Sequence, residues 1–120
     1  MSNNIIEEKT FQFAIDIIKV YKELCDRREY VLSRQLLRAG TSIGANVKEA
    51  LRGQSKKDFL SKMNIALKEA NETEYWIDLL FETDYLDRAA YKVLYSDCKE
   101  ICRILNAIVK STRESLGITN

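Results

Sequence analysis

The 120-residue sequence predicts an all-α protein, an up-down-up-down antiparallel four-helix bundle. Zero prolines and four glycines leave too little turn punctuation for a sandwich of short strands. Apolar residues recur at spacings of three and four along four stretches separated by short polar segments. The expected helices cover about residues 9–26, 29–52, 56–83 and 88–113, and connections of two to five residues force neighbouring helices antiparallel. A chain of this length with 46% apolar and 31% charged residues fits one globular domain.

Helix 1 carries two adjacent apolar stripes. Phe11, Ala14, Ile18, Tyr21 and Cys25 step by three and four, the spacing of a coiled-coil seam. Phe13, Ile17, Val20 and Leu24 lie beside them. At about 100° per residue the apolar arc sweeps roughly 220°, about twice what a surface helix needs against one layer. The excess predicts self-association, with Phe13 and Ile17 among the interface residues.

Helix 2 turns Leu32, Leu36, Ile43, Val47 and Leu51 inward. Its middle is a run of small residues, Ala39, Gly40, Thr41, Ser42, Gly44 and Ala45, which intrinsic propensity would break. The apolar period continues in phase across the run, so one uninterrupted helix is expected, with another backbone close against the small side chains. Asn46 and Glu49 flank Val47 and are expected to make polar contacts between helices or subunits.

Helix 3 starts after Ser55, an N-cap with Asp58 three residues on. Phe59, Met63, Ala66, Ala70, Ile77 and Phe81 form its inward stripe. Ile65 and Trp76 lie about 100° away from it. An off-axis tryptophan suits an interface anchor, so these two join the expected self-association surface. In helix 4, Tyr91, Leu94, Cys98, Ile101, Leu105 and Ile108 again step by three and four, and Gly117 is a stop signal before a fraying tail.

The formal net charge of +1 hides strong segregation. Arg27 to Lys68 holds ten basic and three acidic residues; Glu69 to Glu100 holds three basic and nine acidic. On helix 2, Arg34, Arg38, Lys48 and Arg52 fall within an arc of about 80°, with Thr41 and Ala45 between them. Two readings stay open: a face paired with acids of helix 3 in the same or another subunit, or a surface tracking nucleic-acid phosphates.

Chemistry is sparse. Zero histidines remove the commonest general base and metal ligand. Cys25, Cys98 and Cys102 fall short of a four-ligand zinc site and read as small buried hydrophobes. No nucleophile–base constellation or phosphate-binding glycine loop stands out. No catalytic residue, metal site or cofactor is expected. An odd cysteine count, the absence of a signal-peptide pattern and the lack of a bilayer-length apolar run predict a cytoplasmic protein without membrane contact.

The stretch Leu37 to Ala50, with Phe59, Met63 to Ala70 and Glu72 to Trp76, resembles a family of small bacterial four-helix-bundle proteins. Among them are proteins encoded by intervening sequences of large-subunit ribosomal RNA genes, and the accessory variability determinants of diversity-generating retroelements look like relatives. The most specific part is Ser42-Ile-x-x-Asn46-x-x-Glu49. The resemblance implies a homopentamer and RNA binding through basic surfaces. In the retroelement branch it also implies a nucleoprotein partner, a reverse transcriptase. The expected function is therefore a non-enzymatic, oligomeric protein binding RNA or a nucleoprotein through the helix-2 stripe. The alternative is a structural adaptor whose basic and acidic faces pair between subunits.

Overall fold

The computed structural model describes residues 2–118, and the side chains of residues 5–118. Four helices follow in order, α1 (Ser2–Asp26), α2 (Leu32–Leu51), α3 (Lys56–Glu82) and α4 (Arg88–Ser115), with no strand among the described residues. Cross-helix contacts fix the alternating directions. Glu7 near the start of α1 pairs with Lys48 near the end of α2, Glu49 of α2 with Lys62 early in α3, and Asp78 late in α3 accepts from Tyr91 early in α4. The bundle measures 48 × 24 × 23 Å, and its loosest seam lies between α1 and α4.

Helix 1 begins earlier than the periodicity predicts, because Ile6 and Thr10 continue the buried stripe upstream of Phe13. The Thr10 hydroxyl bonds back to the Ile6 carbonyl at 2.8 Å, so a polar residue is tolerated inside. Of the two apolar stripes on α1, the inner one is Ile6, Phe13, Ile17 and Leu24, while Phe11 and Ile18 face outward. Phe13 and Ile17 are therefore core residues of the single chain, not interface residues as expected. Their burial against the other helices leaves nothing to share.

The small-residue run of α2 stays helical throughout. A Cβ on Gly40 would sit 2.9 Å from Ile17 Cγ1, and one on Gly44 would sit 3.3 Å from the Thr10 carbonyl oxygen. The missing side chains are what admit α1 so closely. Helix 2 starts at Leu32 rather than 29, because Glu29 serves as its cap. The Glu29 carboxylate accepts the backbone N–H groups of Val31, Leu32 and Ser33 at 3.3, 3.0 and 2.6 Å.

Ser55 caps α3 by accepting from Asp58 N, and Asp87 caps α4 by accepting from Ala90 N. In α3, Thr73 and Leu80 join the buried stripe, while Phe59 and Phe81 sit at its edge, Phe81 stacked on Tyr91 with ring centroids 4.1 Å apart. In α4, Cys102 and Val109 are buried, and Tyr91 and Ile108 are peripheral. Three helices end in the same hydrogen-bonded cap, in which a left-handed residue closes the last turn. Gly117 fills that position after α4, as expected; Arg28 (φ 64°) fills it after α1 and Asp84 (φ 68°) after α3. The last two residues of the expected frayed tail, Thr119 and Asn120, lie outside the described residues.

Candidate nucleic-acid interface

Continuous helix through the small-residue run keeps Arg34, Arg38, Lys48 and Arg52 in register on one outer face of α2. All four are exposed. Lys48 Nζ lies 3.5 Å from Glu7 Oε2, with both side chains solvated, a pairing of about 1 kcal/mol at most. Arg34, Arg38 and Arg52 meet no carboxylate among the described residues. The stripe is thus graded, neutralised in part at Lys48 and uncompensated elsewhere. Arg34 also sits near Tyr21, whose hydroxyl is pushed up chiefly by Cys25, with Arg34 acting the opposite way.

Beside the stripe runs an open groove of about 660 Å³ between α1 and α2. Phe11, Ala14 and Ile18 form one wall; Thr41, Gly44 and Ala45 form the other. Phe11 is 69% exposed. The apolar surplus of α1 is real, but it belongs to the outer stripe. On α3, Ile65 is exposed, and half-buried Trp76 donates from Nε1 to Glu72 Oε2 at 3.1 Å and meets the edge of exposed Tyr75.

Asn46 does not bridge helices as expected. Its Nδ2 donates to the Ser42 carbonyl one turn back in α2. Glu49 does reach across, to Lys62 of α3 at 3.3 Å, as a solvated pair.

Sequence reasoning missed the α1–α2 turn. Burial pushes the Glu29 carboxyl up, but its three backbone donors win and hold it below the ordinary carboxylate value. Around that cap the turn presents Tyr30 and Val31 outward, 52% and 71% exposed. Arg27 is occupied, donating from Nη1 to the Tyr85 carbonyl at 2.8 Å and lying over the Tyr85 ring. The available signal was the bare sequence Arg28-Glu29-Tyr30-Val31, where the apolar period of helix 2 has not begun.

Cys98 and Cys102 are free and buried, Cys98 donating to the Ala70 carbonyl; contact with Cys102 and burial push its thiol up. Between α1 and α4, burial and then Asp16 and Glu100 raise Asp97. No group of three or more Cys, Asp or Glu among the described residues is placed to hold a metal ion. No helix among them is long and apolar enough to cross a membrane.

A profile of the 23S rRNA-intervening sequence protein family matches residues 2–107. The chain is also similar to a crystal structure of a protein of unknown function from the S23 ribosomal protein family of Bacteroides thetaiotaomicron. The identity is 49% and the TM-score 0.89, over 92% of this chain and 99% of that one. No curated protein matches.

Proposed function

The chain belongs to the 23S rRNA-intervening sequence protein family, and from that premise we propose that it is a cytoplasmic, non-enzymatic, self-associating protein that binds RNA through the outer face of α2. One observation carries the reading: Arg34, Arg38 and Arg52 stand exposed and meet no carboxylate among the described residues, although the chain has as many as 18 acidic residues that could have met them. A face built for internal pairing would use those acids. A face left uncompensated attracts phosphates and releases their counterions.

The test is RNA affinity across a salt series. Wild-type affinity should fall steeply with salt. Arg38→Gln with Arg52→Gln should weaken binding and flatten the log–log slope by about 2, one for each lost phosphate contact, with little change in stability. Absence of binding at low salt, or a flat salt dependence, overturns the proposal.

Self-association rests on the outer stripe of α1, Phe11 and Ile18, and on Ile65 and Trp76 of α3. The family resemblance implies five subunits. Light scattering should return a multiple of 13.9 kDa; a 13.9 kDa species at micromolar concentration overturns this part. Phe11→Glu should dissociate the assembly while leaving the fold intact, whereas Ile17→Ala should cost about 2–5 kcal/mol of stability. The adaptor reading draws support from the Lys48–Glu7 pair alone. It requires the assembly to come apart in high salt or on reversal of Arg38.

A further inference from the structure

The α1–α2 turn directly precedes the start of the α2 stripe, and there the surface changes character. Four features meet. Tyr30 presents about half its surface to solvent on a turn that is held, not loose. Glu29 accepts three backbone N–H groups, and the N–H groups of Arg28 and Glu29 close onto the Cys25 and Leu24 carbonyls at 2.9 Å each. Arg28 occupies the left-handed position that glycine fills after α4. Arg34 and Arg38 follow in the first two turns of α2, about 3 and 9 Å along the axis from its first residue, Leu32, at the helical rise, and neither meets a carboxylate among the described residues. The one carboxylate inside the turn, Glu29, is consumed by the backbone. The other acids at this end, all exposed, are Glu23 and Asp26 of α1 and, on the neighbouring α3–α4 turn, Asp84 and Asp87, which with Glu23 line the hollow around Arg27.

We infer that this end of the bundle takes an unpaired nucleotide, with a base stacked on the Tyr30 ring and the flanking phosphates held by Arg28, Arg34 and Arg38. The inference rests on the RNA reading above and names the form of RNA that the site selects. A preorganised, exposed ring beside cations is the stacking platform of single-strand binders, and it reads no base edge, so recognition is tolerant of sequence. A paired A-form helix offers phosphates to the same arginines but buries its base faces, so it gains nothing from Tyr30. The site therefore prefers single-stranded or looped RNA over a blunt duplex.

The experiment measures binding of the full chain to a 12-nucleotide single-stranded RNA and to a blunt RNA duplex of equal length, each across a salt series. Wild type should favour the single strand. Tyr30→Ala should lose about tenfold on the single strand, the scale of one stacked base, change duplex binding less than about twofold and keep the salt slope. Tyr30→Phe should restore single-strand binding, and unchanged melting of both variants excludes misfolding. Salt-dependent binding with no single-strand preference, or equal losses on both RNAs for Tyr30→Ala, overturns this inference and leaves the RNA reading standing. No binding of either RNA overturns both. Altered molecular mass of Tyr30→Ala with unchanged RNA binding also overturns it, placing Tyr30 in a contact between copies.

Discussion

Removing the Glu29 cap tests the most specific structural claim, that a residue outside α2 sets where α2 begins. Glu29→Ala deletes one acceptor serving three donors at 2.6, 3.0 and 3.3 Å. Their fates differ. Val31 is exposed, so water can take over its N–H, and Leu32 is partly so; Ser33 is fully buried, so its N–H is left without an acceptor. A lost cap costs about 0.5–2 kcal/mol, and one orphaned buried donor about 1–3 kcal/mol. Since Ser33 carries the closest contact, a net loss of about 2 kcal/mol follows. That lowers the melting temperature by roughly 8 °C at about 4 °C per kcal/mol for a chain of this size. Glu29→Gln keeps an acceptor but not the charge and should lose about half as much. The pH dependence has a definite sign. Because the folded-state carboxyl lies below its ordinary value of 4.5, its contribution is fully present above pH 4.5 and is lost as pH falls through the folded value. The gap between wild type and Glu29→Gln should therefore shrink on acidification from neutrality to pH 3. Urea unfolding followed by circular dichroism at fixed protomer concentration measures both effects. A Glu29→Ala variant within about 0.5 kcal/mol of wild type, or a gap unaffected by acid, refutes the capping role.

Other consequences can be checked alongside. Gly40→Ala gains helix propensity but forces a Cβ to 2.9 Å from the buried, β-branched Ile17; overpacking should win, with a net loss of about 1–2 kcal/mol in the same urea assay. Arg28→Gly should raise stability by about 1 kcal/mol by relieving the left-handed backbone, while lowering RNA affinity; a stability loss would show that the Arg28 side chain supports the turn. The Tyr91 phenol is pushed up to about 12, first by its 2.8 Å hydrogen bond to Asp78. Its contribution is present below the ordinary value of 10 and lost as pH rises through 12. Ultraviolet titration should show Tyr91 ionising late, with Tyr21 also raised, and Asp78→Asn should bring Tyr91 back toward the ordinary value.

Much of the fold was legible because it depends on relations within one helix. The cap at Ser55 is local, since its side chain bonds a backbone group three residues on. The unbroken α2 was readable from an apolar period that stayed in phase across the glycines. The cationic arc needed only the angle per residue. Periodicity is silent on how a helix is rotated against its neighbours. Two apolar stripes on α1 were equally good candidates for the inside, and the stripe with the regular seam spacing turned out to be the exposed one. The close approach of Gly40 to Ile17 and of Gly44 to Thr10 decided it, because α2 can meet α1 so closely only across that face. The cap at Glu29 escaped because a glutamate before a helix reads as its first turn until the backbone around it is known.

The order and direction of four rods, the start of the third at Ser55, and the alignment of cations along α2 were written in the chain itself, since each follows from residues a few positions apart. Packing alone decided that Phe13 and Ile17 vanish into the core while Phe11 and Ile18 stay outside, that Lys48 finds Glu7, and that Arg34, Arg38 and Arg52 find no acid among the described residues. Those outcomes depend on distances between segments tens of residues apart, which no local spacing encodes.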